Sequence, residues 1–140
     1  MIPEPTETFG LHLMLDGYGA DPTLLADAGR LRALLDSLPA ELGMHPISTP
    51  LVAAVGPKNR KDPGGLSGFV MIAESHLSFH TFPSRRFVTI DVYTCQSDLD
   101  VAAVSARLIA AFAISDADVH LQHRGLRYPA QDIAVFKATG

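Results

Sequence analysis

The chain predicts an α+β fold, a two-layer sandwich in which a mostly antiparallel sheet carries two main helices on one face. Two observations point there. Strand-like runs outnumber helical ones, and each helical run has one apolar stripe, so both helices can lie on the same side of a sheet. With 47% apolar residues in 140, the sequence has enough material for one core and is read as one domain, residues 1–140. The uncovered sheet face must meet solvent or a second subunit.

Met1 to Thr8 read as a poorly ordered lead. Phe9, Leu11, Leu13 and Leu15 then alternate as in a strand, which Gly17-Tyr18-Gly19 closes. Asp21 before Pro22 marks a helix start, an acceptor at the cap followed by proline at the first helical position. Leu24, Leu25, Ala28, Leu31, Leu35 and Leu38 give that helix its buried stripe, and Pro39 and Gly43 end it. A strand is expected near Leu51 to Val55. The polar stretch from Gly56 to Gly65 reads as a loop, either a mobile connection or a substrate-facing one. Strands are predicted over Leu66 to Ala73, Ser75 to Phe82 and Arg86 to Cys95. Asp98 can cap a second helix with Leu99, Ala102, Ala103, Ala106, Ile109, Ala110 and Ala113 on its apolar side. Strands over Val119 to Gln122 and Ile133 to Phe136 complete the pattern. Met14, Met44 and Met71 read as core filler, His45 before Pro46 as a loop residue, and Arg85 and Arg86 as turn residues.

A net charge of -4 and scattered basic residues argue against a nucleic-acid surface. The single cysteine, Cys95, allows no intrachain disulfide and fits a reducing compartment. The first residues, MIPEPTETFG, lack the basic start and apolar run of a signal peptide, and no stretch is long enough to span a bilayer. These observations predict a cytoplasmic protein without nucleic-acid or membrane partners.

Residues 73–95, AESHLSFHTFPSRRFVTIDVYTC, concentrate the reactive side chains. Taken singly, each has a plainer reading. A strand histidine more often makes a structural hydrogen bond than catalyses, and a free cysteine is usually a small core residue. Zinc held by His76 and His80 with Glu74 or Cys95 lacks a tight cysteine pair or a second histidine pair, so no metal is expected. A serine hydrolase lacks its G-x-S-x-G elbow. A non-catalytic α+β binding or regulatory module is the remaining alternative.

The combination closely resembles the core motif of the prokaryotic S-adenosylmethionine decarboxylases, pyruvoyl enzymes of polyamine and spermidine synthesis. The matching pieces are Leu66-Ser67-Gly68, Ala73-Glu74-Ser75-His76, His80-Thr81-Phe82-Pro83 and Asp91-Val92-Tyr93-Thr94-Cys95, with no gap needed between them. A weaker likeness extends to Gly10-Leu11-His12-Leu13 and the helix after it. The resemblance implies a proenzyme that cuts itself between Glu74 and Ser75 into residues 1–74 and 75–140. Ser75 would become a covalent pyruvoyl group, whose ketone forms a Schiff base with the substrate amine. It further implies that His80 is the processing base, that Ser67 assists processing, that Cys95 is the proton donor in decarboxylation, and that cleaved protomers form a homodimer with sites near the interface.

In an ideal strand, Ser75 and His80 face opposite ways, so their cooperation calls for a bulge, a bend, or a strand that begins only after the cut. The sequence also departs from the family near the substrate. Lys61, fourteen residues before Ser75, replaces an aromatic residue that stacks on adenine; Phe82 replaces Trp and keeps a stacking face; Ser84 replaces Glu. S-adenosylmethionine is the expected substrate. Ornithine or arginine is the alternative, for which Asp16, Asp62 or Asp91 would have to hold the distal cation.

Overall fold

A computed structural model describes residues 6–130 of the chain. Six antiparallel strands form the main sheet in the order β3-β4-β5-β6-β2-β7. They are β2 (Gly10–Tyr18), β3 (Leu51–Val55), β4 (Gly65–Ile72), β5 (Ser75–Phe82), β6 (Phe87–Thr94) and β7 (Asp116–Arg124). Two short strands, β1 (Thr6–Glu7) and β8 (Tyr128–Pro129), pair separately, so part of the expected disordered lead is tied down. The strand expected at Ile133 to Phe136 lies outside the described residues.

The alternation is sharp where one face meets the helices. Leu11, Leu13 and Leu15 of β2, Leu77 and Phe79 of β5, and Val88, Ile90 and Val92 of β6 are all buried. Burying each such side chain contributes roughly 1.5–3 kcal/mol. Against them pack α1 (Pro22–Leu25), α2 (Ala28–Glu41) and α3 (Val101–Phe112). Phe79 of β5 meets Phe112 of α3 edge-on, with ring centroids 5.4 Å apart.

The single helix expected after Asp21 is two. Asp21 caps α1 as predicted, but Asp27 accepts from the Arg30 N–H and starts α2, because a second short acceptor side chain satisfies a new helix end better than it continues an old one. Pro39 lies inside the last turn of α2 rather than beyond it. Helix α3 is capped by Asp100, not Asp98. Its buried residues are Val104, Ser105, Leu108, Ala111 and Phe112, a different face from the one predicted. An alanine-rich helix is apolar all round, so its large side chains decide which way it turns. Met44 is buried as expected, whereas Met71 is 45% exposed on the helix-free face.

Thr81 fixes the helix layer to the sheet. It is buried on β5, donates to the Leu25 carbonyl at 2.8 Å and accepts from the Leu66 N–H at 3.1 Å. The opposite sheet face carries no helix and displays Leu51, Phe69 and Met71 beside polar residues. No helix among the described residues is long and apolar enough to cross a membrane.

Candidate active site

Strands β4 and β5 are joined by a two-residue turn, Ala73-Glu74, between the paired Ile72 and Ser75. The turn is held from outside. The Glu74 carbonyl accepts from the Cys95 N–H at 3.0 Å, and the Ala73 N–H donates to the His45 carbonyl at 2.8 Å. The Glu74 carboxylate accepts from the His45 backbone N–H at 2.9 Å and from its Nδ1 at 2.7 Å. These bonds, the side-chain one first, hold the Glu74 carboxyl below the usual carboxylate range against its partial desolvation. Ser75 pairs with Thr94, so the exposed Cys95 follows at the end of β6, beside the Glu74–Ser75 peptide.

Ser67 and His80 form a second cluster. They are paired across β4 and β5, and Ser67 Oγ lies 2.9 Å from His80 Nδ1. A shallow depression of about 150 Å³, lined also by Leu51, Ala53, Phe69 and Ser78, opens on the helix-free face above them. His80 is five residues along β5 from Ser75, a separation of about 16 Å at the usual strand rise. Of the bulge, bend or late strand start that the sequence left open, no bulge is present and β5 begins at Ser75 itself: Ser75 to Phe82 pair in unbroken register with β6, and Ser75 to His80 with β4. A bulge here would break ladder bonds on two sides at once, as β5 is interior to the sheet. One chain therefore joins the Glu74–Ser75 peptide to the Cys95 backbone, and Ser67 to His80, but not the two pairs to each other.

A third group on the same face escaped the sequence reading. His12 Nε2 lies 2.7 Å from Asp91 Oδ1, and Ser78 Oγ donates to Asp91 Oδ2 at 3.5 Å. His76 and His12 flank Tyr93, with ring centroids 5.6 and 5.7 Å from it, and the Arg124 guanidinium stands 4.9 Å from the Tyr93 centroid. Burial, then the nearby His12, push His76 below the usual histidine value, with Arg124 adding to them and Asp91 opposing. The only sequence signal was that His12 and Asp91 occupy helix-free positions of their strands; their meeting depends on which strands neighbour each other. Asp91 is thus already paired. Among the described residues no three His, Cys, Asp or Glu side chains gather as a metal-ligand set.

Phe82 continues the helix-free face to the far end of β5. Its ring lies 5.7 Å from Phe87, which lies 5.4 Å from Tyr18, making a short aromatic row. The loop from Gly56 to Gly65 is built rather than slack. Asn59 Oδ1 accepts from the backbone N–H groups of Lys61 and Asp62, and Asp62 Oδ1 accepts from Gly64. Lys61 is exposed on this loop, and Arg85 Nη2 donates to the Arg60 carbonyl at 3.1 Å. A cavity of about 320 Å³ lies between loop and turn, lined by Pro63, Gly64, Gly65, Pro83 and Ser84 among others.

The profile of the S-adenosylmethionine decarboxylase family matches residues 11–125. The S-adenosylmethionine decarboxylase proenzyme of Thermococcus gammatolerans is 30% identical over 120 residues, covering 86% of this chain and 79% of that protein. That of Pyrococcus furiosus is 29% identical over 120 residues, covering 86% and 81%. The solved adenosylmethionine decarboxylase of Aquifex aeolicus superposes with a TM-score of 0.71 at 28% identity, over 85% of this chain and 92% of that one. The hairpin that presents Glu74 and Ser75, with Cys95 behind it, lies within the matched region, and the chain belongs to the S-adenosylmethionine decarboxylase family.

Proposed function

We propose that the chain cuts itself between Glu74 and Ser75 and that the matured protein decarboxylates S-adenosylmethionine, yielding an aminopropyl donor for polyamine synthesis. The observation that carries this reading is the Cys95 N–H aimed at the Glu74 carbonyl at 3.0 Å. That carbonyl carbon is the one the Ser75 hydroxyl must attack, and the N–H is placed where negative charge develops on its oxygen. Attack breaks the Glu74–Ser75 C–N bond and leaves an ester through Ser75 Oγ. Removal of the Ser75 Cα proton by a base then breaks the Cβ–Oγ bond and expels the main-chain carboxylate of Glu74, the new C-terminus of residues 1–74. The dehydroalanine so formed hydrolyses to a pyruvoyl group with loss of ammonia.

His80 suits the base and Ser67 its orienting partner, since Ser67 Oγ contacts His80 Nδ1 at 2.9 Å and leaves Nε2 for the substrate side. The separation of about 16 Å along β5 supports a homodimer in which the partner subunit's His80 and the partner subunit's Ser67 complete each site. The helix-free face, with Leu51 68%, Met71 45% and Phe69 39% exposed, suits burial against a second copy.

The pyruvoyl group supplies an electron sink for the departing CO₂. Ser75 begins β5 beside Cys95, so its position fits a group made there and served by the Cys95 thiol as proton donor. The row of Phe82, Phe87 and Tyr18 offers an aromatic surface for adenine in place of the residue lost at Lys61. Asp91 is bound to His12 and Asp62 to its own loop, which counts against their holding the distal cation of ornithine or arginine.

Intact-mass measurement should show two chains, 1–74 and 75–140, the second reacting with a hydrazine, and Ser75→Ala should stay whole. Release of CO₂ from carboxyl-labelled S-adenosylmethionine, but not from ornithine or arginine, is expected. A folded wild-type chain that never cuts would overturn the reading.

A further inference from the structure

The turn that presents the scissile peptide is poorly made for its task. Two-residue hairpin turns favour glycine or asparagine with positive φ, which matches strand twist. Here the residues are Ala73 and Glu74, and neither is among the residues with positive φ. Something outside the turn must hold it.

The segment before β3 does so. Pro46 bridges Ile72, the Ile47 N–H donates to the Met71 carbonyl at 2.9 Å, and the Ala73 N–H donates to the His45 carbonyl at 2.8 Å. This lays His45 against the turn, where it meets both carboxylate oxygens of Glu74, at 2.9 Å from its backbone N–H and 2.7 Å from Nδ1. An ionised carboxylate only accepts, so Nδ1 carries the proton. The His45 side chain is 78% exposed while that of Glu74 is 13% exposed, so the imidazole is not there to fill a core.

We propose that His45 is a positioning residue for self-cleavage: its two donors grip the Glu74 carboxylate and keep the Glu74–Ser75 peptide aligned with the Cys95 N–H. The inference rests on the reading that the chain cuts before Ser75. Losing the grip frees the Glu74 side chain and lets the turn relax, so the carbonyl spends less time against its donor. His45→Ala keeps the backbone donor and loses the charge-assisted one.

The test is pulse–chase translation of the full chain, following fragments 1–74 and 75–140. His45→Ala should lengthen the maturation half-time about tenfold, the worth of one hydrogen bond to a charged group. His45→Asn, whose amide nitrogen stands near the place of Nδ1, should restore most of the rate. Glu74→Gln should also slow cutting, and the double variant should be no slower than the slower single one, because both changes remove the same contact. In a Ser75→Ala background that cannot cut, His45→Ala should lower the melting temperature by about 3–6 °C, the cost of the same hydrogen bond, and leave the chain folded at the assay temperature. A wild-type rate for His45→Ala, an asparagine variant as slow as the alanine one, or multiplying effects would each overturn the role of His45 alone. A wild-type chain that stays whole removes the cleavage reading and this inference with it.

Discussion

The proposed division of the site between two subunits can be tested by complementation. Ser75 and His80 are five residues apart on one strand paired in unbroken register, about 16 Å, and alternation places them on opposite faces. No side-chain rotation closes that gap, so within one chain His80 cannot reach the Ser75 Cα proton. Ser75→Ala and His80→Ala should each abolish activity when expressed alone. Co-expressed with different tags, they form mixed dimers in which His80→Ala supplies Ser75 and Ser75→Ala supplies His80. Random pairing makes half the dimers mixed, and each mixed dimer has one complete site of two, so activity should recover to about a quarter of wild type. Doubly tagged dimers, purified in sequence, should have about half the wild-type activity per dimer and one cleaved chain in two. Sites contained in single chains would give no recovery in either sample, and that result would refute the shared-site argument.

Three further outcomes are expected. Cys95→Ala keeps the backbone N–H that faces Glu74 and should mature normally, while kcat falls by about 10²–10⁴ from loss of the proton donor, read by single-turnover CO₂ release. Thr81→Val should cost about 1–3 kcal/mol in urea unfolding, because the Leu25 carbonyl and Leu66 N–H lose a buried partner. His76 is held below the usual histidine value, so the folded state binds its proton less readily than the unfolded chain does. Its neutral form is accommodated fully above the ordinary histidine range, and stability falls as pH drops through that range. The urea midpoint should therefore decrease between about pH 7.5 and 5.5, and His76→Phe should flatten that slope.

Much of the sheet was legible because alternation is a local signal. Leu11, Leu13 and Leu15, or Leu77 and Phe79, declare which side of a strand faces the core. The cap at Asp21 and the turn at Arg85-Arg86 were readable for the same reason, being written in one or two residues. The break at Asp27 and the rotation of α3 were not, as both depend on packing against a layer whose position the chain does not state. The site divides along the same line. The resemblance pointed to Ser67, Glu74, Ser75, His80 and Cys95, and the fold alone sorts them into two clusters. The His45–Glu74 and His12–Asp91 contacts join residues 29 and 79 positions apart, and only strand order and register could reveal them.

The strand order has a consequence for the proposed cleavage. Residues 1–74 contribute β3, β4 and β2, while residues 75–140 contribute β5, β6 and β7, so the two pieces alternate across the sheet and meet along three seams. A nick at the hairpin tip would thus free neither piece, since each is woven through the other and the core draws on both. Parting them means dissolving the sheet, after which recovery becomes an encounter between separate molecules and depends on their concentration.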